Sequence, residues 1–368
     1  MTSPKPQLDA LTGARGIAAW YVVFYHVREA FGDEVPQAVI GFLAKGYLAV
    51  DLFFILSGFV MWLNYGTKFE QQGLRAAPDF LRRRFARIYP LHFVILLAMV
   101  IFVAALGATG RGDPLRYPFQ ELPLHILLIQ NWGMTAQLSW NDPAWSISTE
   151  FAAYLALPFG AAALVRFRRS VGVNLLLIAG LCVILWQVFA VQGQGRLGDD
   201  ISGNGLIRCL IEFFIGVLVC SVWQQADGNV QRCLNPVVMG MGIGSAVLWC
   251  AGLLPETLTI PALFAATVYG LAQSSGQAHN PLSSKPLIRI GDISYSTYLV
   301  HFFLWIVFKL LFVADPSNVP LPLMMGFFAL TYAASEILYR FVEDPGRKWV
   351  QSLGGTPQGG IERSGQPR

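Results

Sequence analysis

The sequence predicts an all-α polytopic membrane protein of about ten transmembrane helices with both termini in the cytoplasm, and three observations predict it. Of 368 residues, 54% are hydrophobic and only 13% charged, with a mean hydropathy of +0.50, whereas soluble domains carry about 25% charged residues. The apolar runs are ~18 to 22 residues long, the length that carries a helix across a hydrocarbon core in which the backbone must satisfy its own hydrogen bonds. Basic residues gather in alternate loops between these runs, the asymmetry that sets orientation.

Taken in order, the expected spans are about 14–31, 46–65, 89–107, 143–165, 172–192, 205–224, 236–254, 257–274, 292–313 and 320–341. The N-terminal MTSPKPQLDALTG has one lysine and no cleavage-site pattern, so 11–31 reads as a retained helix rather than a signal peptide. Segment 122–132 (LPLHILLIQNW) is apolar but too short to cross, and suits a re-entrant or interfacial element. Lys68, Arg75, Arg82, Arg83, Arg84 and Arg87 precede the third span, and Arg166, Arg168 and Arg169 follow the fourth. Arg232, Lys285, Arg289, Arg347, Lys348, Arg363 and Arg368 fall on the same side, which leaves Lys45, Arg111, Arg116 and Arg196 on the other. The net charge of +4 therefore reflects topology and not a nucleic-acid partner. Residues 8–350 form one transmembrane domain without internal repeats, and 351–368, rich in Gly, Pro, Gln and charge, reads as a disordered cytoplasmic tail. The five cysteines have neither metal-ligand spacing nor a disulfide framework and read as packing residues. No metal site is expected.

Several ionisable residues lie inside the apolar runs. Arg15 and His26 are eleven positions apart in the first span, so a helix puts them on one face with His26 about 16 Å deeper. Such residues cost roughly 2.5 to 3.5 kcal/mol to insert and are functional candidates by default; a buried histidine satisfied by a neighbouring helix is the plainer alternative. Asp51 in the second span and Glu150 in the fourth each lie about two turns in from the outside, in one layer with His26. The expectation is that His26 acts as general base with Glu150 as its orienting partner, and that Asp51 and Ser146 complete a polar site. A structural polar cluster sealing a helix junction is the alternative, and Asp51 also suits a helix N-terminus. Arg84 and Arg87, at i and i+3, present two guanidinium forks suited to phosphate, on the same side as Arg15 and ~15 to 20 Å from His26. Anchoring to anionic lipid competes with that reading. In the ninth span Tyr298 and His301 suit the wall of a donor tunnel and Ser294 an interhelical hydrogen-bond seam. Arg208 and Glu212, four apart, are expected to pair with each other. His92, His125 and Lys309 have weaker claims.

These residues fall in stretches that carry a resemblance. LDALTGARGIAAWYVVFYH, VDLFFILSGFVM, RRFARIYPLH, PAWSISTEF, ISYSTYLVH and FVEDPGRKW occur in this order between about Leu8 and Trp349. The chain thereby resembles the acyltransferase 3 family, membrane-bound acyltransferases that modify bacterial surface carbohydrates. Arg15 and His26 match its motif of an arginine, ten residues and a histidine, and Arg84 and Arg87 its Arg-x-x-Arg. The resemblance implies transfer of an acyl group from cytoplasmic acyl-CoA to a sugar hydroxyl, with His26 catalytic and Arg84 and Arg87 in donor recognition or donor-channel structure. The esterase-like C-terminal domain of some members is not expected after Trp349. The reading is of an O-acyltransferase in a bacterial inner membrane, using acyl-CoA, most simply acetyl-CoA, as co-substrate and no tightly bound cofactor. Its implied partners are a carbohydrate or glycolipid acceptor, membrane lipid and polysaccharide-assembly proteins. The alternatives are a polytopic transporter or flippase of a glycan precursor, which also places ionisable residues at mid-membrane, and a non-catalytic scaffold.

Overall fold

The computed structural model describes residues 8–166, 170–226, 228–275 and 280–353. Arg168, Arg169, Arg363, Arg368 and the expected disordered tail beyond 353 lie outside the described residues. The helices are α1 (Asp9–Val27), α2 (Gln37–Leu43), α3 (Ala49–Gln72), α4 (Ala77–Ala108), α5 (Leu122–Leu127), α6 (Ala144–Arg166) and α7 (Val171–Val191). They continue as α8 (Ile201–Gln225), α9 (Gly228–Cys250), α10 (Glu256–Gln273), α11 (Lys285–Asp292), α12 (Ser294–Phe312), α13 (Leu321–Leu338) and α14 (Asp344–Ser352). Among the described residues there is no strand. The chain is an all-α, multi-pass membrane protein: among the described residues seven helical segments are long and apolar enough to cross a membrane, the first of them, Gln37–Ala108, taking in both α3 and α4. The remaining long helices, α1 and α10, fall where spans were expected but outside those seven segments.

The bundle is built around the contact of α3 with α8, and glycine makes that contact close. A methyl group at Gly58 would lie 1.8 Å from the Phe213 carbonyl oxygen, and one at Gly216 would lie 1.9 Å from that of Ile55. Two backbones meet where neither helix has a side chain, the way small residues let helices pack in lipid without a hydrophobic driving force. The same device docks α1 on the α11–α12 junction, where a methyl at Gly16 would meet the Gly291 nitrogen at 2.6 Å. That docking brings Arg15 to Ser294 at the start of α12, and His26, three turns further along α1, to His301, two turns further along α12. A π-helical turn, Tyr339–Glu343, joins α13 to α14 and turns Glu343 into the bundle.

The connection from α4 to α6 is long but not loose. Segment 122–132 does not cross; its α5 packs under α4, where His92 Nε2 donates to the His125 carbonyl at 2.8 Å and His125 Nε2 meets Ser139 Oγ at 3.0 Å. Trp140 is fully buried with a positive φ of 58° and donates to the Pro118 carbonyl. Asn141 Nδ2 then donates to the Leu299 carbonyl at 3.0 Å, which fixes the start of α6 against α12.

Candidate active site

Two cavities meet inside the bundle. The first, of about 170 Å³, is lined by Arg15, Arg84 and Arg87 together with Ser57, Ser146, Glu150, Tyr154, Ser294, Tyr295 and Tyr298. Its three guanidinium groups are held differently. Arg87 is ion-paired with the buried Glu343, whose other oxygen accepts from Ser296 Oγ at 2.7 Å. Among the described residues Arg15 has only neutral acceptors: its Nε donates to Ser294 Oγ at 3.0 Å and its Nη2 to the Gly291 carbonyl at 2.8 Å. Arg84 Nη2 reaches the Tyr65 hydroxyl at 3.3 Å, while its Nε is buried and, among the described residues, without a partner. A cation withdrawn from water without a counter-ion is costly. Among the described residues this cavity holds two half-buried guanidinium groups without an ion-pair partner, Arg15 and Arg84, set against the carboxylate of Glu150.

The second cavity, of about 340 Å³, is lined by His26 with Tyr25, Tyr47, Trp145, Asp142 and Arg208 among others. Aromatic faces beside a carboxylate and guanidinium groups suit a polyhydroxylated molecule, whose C–H face stacks while its hydroxyls bond. Asp142 is ion-paired with Arg116 at 2.7 Å, but its Oδ1 is buried and has no partner among the described residues. Burial pushes this carboxyl above the usual carboxylate range despite the guanidinium beside it.

The partner of His26 is His301 rather than Glu150. His301 Nδ1 lies 3.1 Å from the Thr297 carbonyl, and its Nε2 lies 3.2 Å from His26 Nδ1, which is also 3.0 Å from the Val22 carbonyl. Carbonyl oxygens only accept, so His301 carries its proton on Nδ1 and offers a lone pair at Nε2. His26 then carries its proton on Nδ1, shared between Val22 and His301. That leaves the lone pair on His26 Nε2, the nitrogen of a base.

Glu150 instead faces the arginine cavity, where its Oε1 accepts from Ser57 Oγ at 2.5 Å and the Tyr154 hydroxyl at 2.6 Å. Equal depth does not imply equal azimuth: helix α6 turns Glu150 to one side of the α12 wall and α1 turns His26 to the other. Asp51 does not itself line the His26 cavity, but it holds Arg208, which does. It is fully buried and grips Arg208 Nε and Nη2, both at 2.7 Å, so the expected Arg208–Glu212 pair is not formed. Arg208 faces α3, and the Asp51 carboxylate meets its planar fork side-on, which a carboxylate on its own helix face cannot do as well. The Glu212 oxygens have no hydrogen-bond partner among the described residues. Ser294 donates to the Gly291 carbonyl three residues before it at 2.7 Å and accepts from Arg15 Nε at 3.0 Å, and the second of these bonds links α12 to α1. Cys182, Cys209 and Cys220 are buried, and Cys233 and Cys250 exposed.

Between the cavities stands one hydroxyl pair. Tyr298 lines both cavities, its hydroxyl 2.8 Å from Ser146 Oγ, and its ring meets Phe53 edge-on.

An acyltransferase-domain family model, acyltransferase 3, matches residues 8–340. The chain belongs to the acyltransferase 3 family. It is an enzyme, an O-acyltransferase, which decides between the enzyme and transporter readings. It is similar to "Acyltransferase MdmB" of Streptomyces mycarofaciens, 31% identical over 325 residues that cover 80% of this chain and 78% of that one. It is also similar to "Putative O-acetyltransferase SACOL0978" of Staphylococcus aureus strain COL, 23% identical over 93% of this chain and 57% of the longer relative. "Protein 2 in picA locus" of Rhizobium radiobacter is 39% identical over 31% of this chain and 54% of its own length. No solved structure matches the chain. Four residues of the candidate site are not singled out by the sequence reading: Ser57, Asp142, Tyr154 and Glu343. Each lies within or beside a stretch that carries the family resemblance, which was the signal available to find it.

Proposed function

We propose that this enzyme transfers an acyl group, most simply acetyl, from acyl-CoA to a hydroxyl of a carbohydrate, with the donor entering the arginine cavity and the acceptor the histidine cavity. The observation that carries the reading is the division of labour across the Tyr298–Ser146 wall: cations short of counter-ions lie on one side and an imidazole with a free Nε2 lies on the other. Arg15 and Arg84, joined by the Glu343-held Arg87, suit the phosphates and carbonyls along the CoA arm, because guanidinium forks bind such oxygens bidentately. Asp142 Oδ1 and the aromatic faces suit the sugar. His26 Nε2 takes the proton of the acceptor hydroxyl as its oxygen attacks the thioester carbon. The tetrahedral intermediate then collapses, the C–S bond breaks, and the thiolate leaves with the proton from His26. His301 keeps the base in the right tautomer throughout and accepts from the imidazolium, the task a carboxylate has in a Ser-His-Asp triad. Every step runs on proton transfer and hydrogen bonds, so no tightly bound cofactor enters the scheme.

Under the positive-inside pattern the arginine cavity opens to the cytoplasm of a bacterium whose inner membrane holds the protein, and the acceptor belongs to an exopolysaccharide, lipopolysaccharide or lipid-linked glycan. Purified enzyme incubated with labelled acetyl-CoA and a membrane glycolipid extract should transfer label. The His26→Ala variant should lose about 10² to 10⁴ in rate while inserting normally. Full activity in that variant would remove His26 from the mechanism.

A further inference from the structure

The two cavities share a wall, and any thioester carried from the arginines to His26 must pass it. Six hydroxyl groups line the arginine cavity, and five spend their single proton on a carbonyl or carboxylate. Ser57 and Tyr154 both donate to Glu150, Ser294 to the Gly291 carbonyl, Tyr295 to the Ile88 carbonyl and Ser146 to the Pro143 carbonyl. With the Ser146 proton committed, the short contact between Ser146 Oγ and the Tyr298 hydroxyl must be made by the Tyr298 proton. Among the described residues Tyr298 alone of these six donates to a neutral hydroxyl oxygen, the weakest acceptor of the set, and Tyr298 alone stands in both cavities.

We infer that Tyr298 is a catalytic residue whose hydroxyl donates to the thioester carbonyl oxygen and stabilises the oxyanion of the tetrahedral intermediate. This rests on the acyl-CoA reading above. As the thioester carbon is attacked, negative charge gathers on its oxygen, and a charged acceptor draws a hydrogen bond about twice as strong as the neutral Ser146 oxygen does. The Tyr298 proton turns from Ser146 to that oxygen and turns back when the C–S bond breaks. No proton is transferred from Tyr298, so the balance of the reaction is unchanged. The ring is held at 6% exposure with Phe53 edge-on against it, which leaves rotation about the C–O bond as the motion required. Such a donor is preorganised, the condition under which oxyanion stabilisation is largest.

The test is Tyr298→Phe, which keeps the wall and removes the donor, measured in purified enzyme with labelled acetyl-CoA and the glycolipid extract. The expected result is a fall in kcat of about 10² to 10³-fold with the KM for acetyl-CoA unchanged. A fall of less than tenfold, or a loss confined to KM, overturns the inference. Where the Phe variant does not purify as a monodisperse protein, 3,5-difluorotyrosine at position 298 replaces it, since it keeps the shape and strengthens the donor. A change in kcat without a change in KM supports the donor, and an unaltered kcat overturns it. The His26→Ala variant runs alongside. If it transfers label at the wild-type rate, the general-base reading fails, whereas an inactive His26→Ala beside a fully active Tyr298→Phe removes Tyr298 alone.

Discussion

A histidine is a base only through the nitrogen that lacks a proton, so the chemistry at His26 is decided by what its other nitrogen touches. The chain Thr297 carbonyl, His301, His26 makes that decision, and in the proposed mechanism His301 is accordingly a positioning residue. His301→Ala should lower kcat by about 10 to 10²-fold, the range for losing a partner that orients an imidazole, with the acetyl-CoA KM unmoved. His301→Gln, whose side-chain oxygen can accept from His26 Nδ1, should recover part of the loss, and equal losses in both variants would mean that His301 only fills space. At the arginines the effect should fall on the donor instead. Arg84→Ala should raise the acetyl-CoA KM by about 10 to 10²-fold, the equivalent of a hydrogen bond to a charged group at about 1.5 to 3 kcal/mol. Lysine should restore it only partly because it lacks the fork; an unchanged KM in Arg84→Ala returns this residue to anchoring. His26 and the arginines were legible because an ionisable group in an apolar run stands out whatever surrounds it. The partner of His26 was not, since helical spacing gives depth along each span but not the rotation of one helix against another.

At the level of the helix pair, α3 and α8 carry both a close backbone contact at Gly58 and Gly216 and, among the described residues, the most buried ion pair. Asp51 and Arg208 are 0% and 1% exposed at their side chains, and removing one partner leaves the other charge buried and unpaired. Asp51→Ala should therefore destabilise the protein by about 3 to 5 kcal/mol. The double variant Asp51→Leu with Arg208→Met should be far less destabilised than the single ones predict, since the two residues act as one unit. Thermal unfolding in detergent would decide; additive losses would show that the pair does not act as a unit. The expected Arg208–Glu212 pair failed for the same reason as the His26–Glu150 pair: spacing along one helix says which residues are neighbours, while packing says which face meets a better partner. The long helices themselves were readable from length and hydropathy, because lipid imposes those two quantities before any tertiary contact forms. Less readable was the connection from α4 to α6. Its role of holding Asp142 and the start of α6 rests on the buried Trp140 and on the Asn141 bond to α12, contacts between residues distant in sequence.

For the whole molecule the arrangement of cavities becomes a statement about the membrane. Arg15 lies near the start of α1 and Arg84 and Arg87 near the start of α4, the ends flanked by the basic loops, while His26 lies at the far end of α1. If the basic loops are cytoplasmic, the proposed function has acyl-CoA met from the cytoplasm and the acceptor from outside, with the acyl group crossing at the Tyr298 wall while neither substrate does. A cysteine at Gln37, beyond the far end of α1, and one at Ser352, at the end of α14, should then react with an impermeant thiol reagent from opposite sides of sealed vesicles, in a background freed of the native cysteines. In inside-out vesicles acetyl-CoA added to the exposed cytoplasmic face should acylate glycolipid in the lumenal leaflet. Labelling of both cysteines from one side would overturn the orientation. Product confined to the cytoplasmic leaflet would instead leave the orientation and bring the acceptor to the same side as the donor, in which case the histidine cavity would have to be reached from within the bilayer.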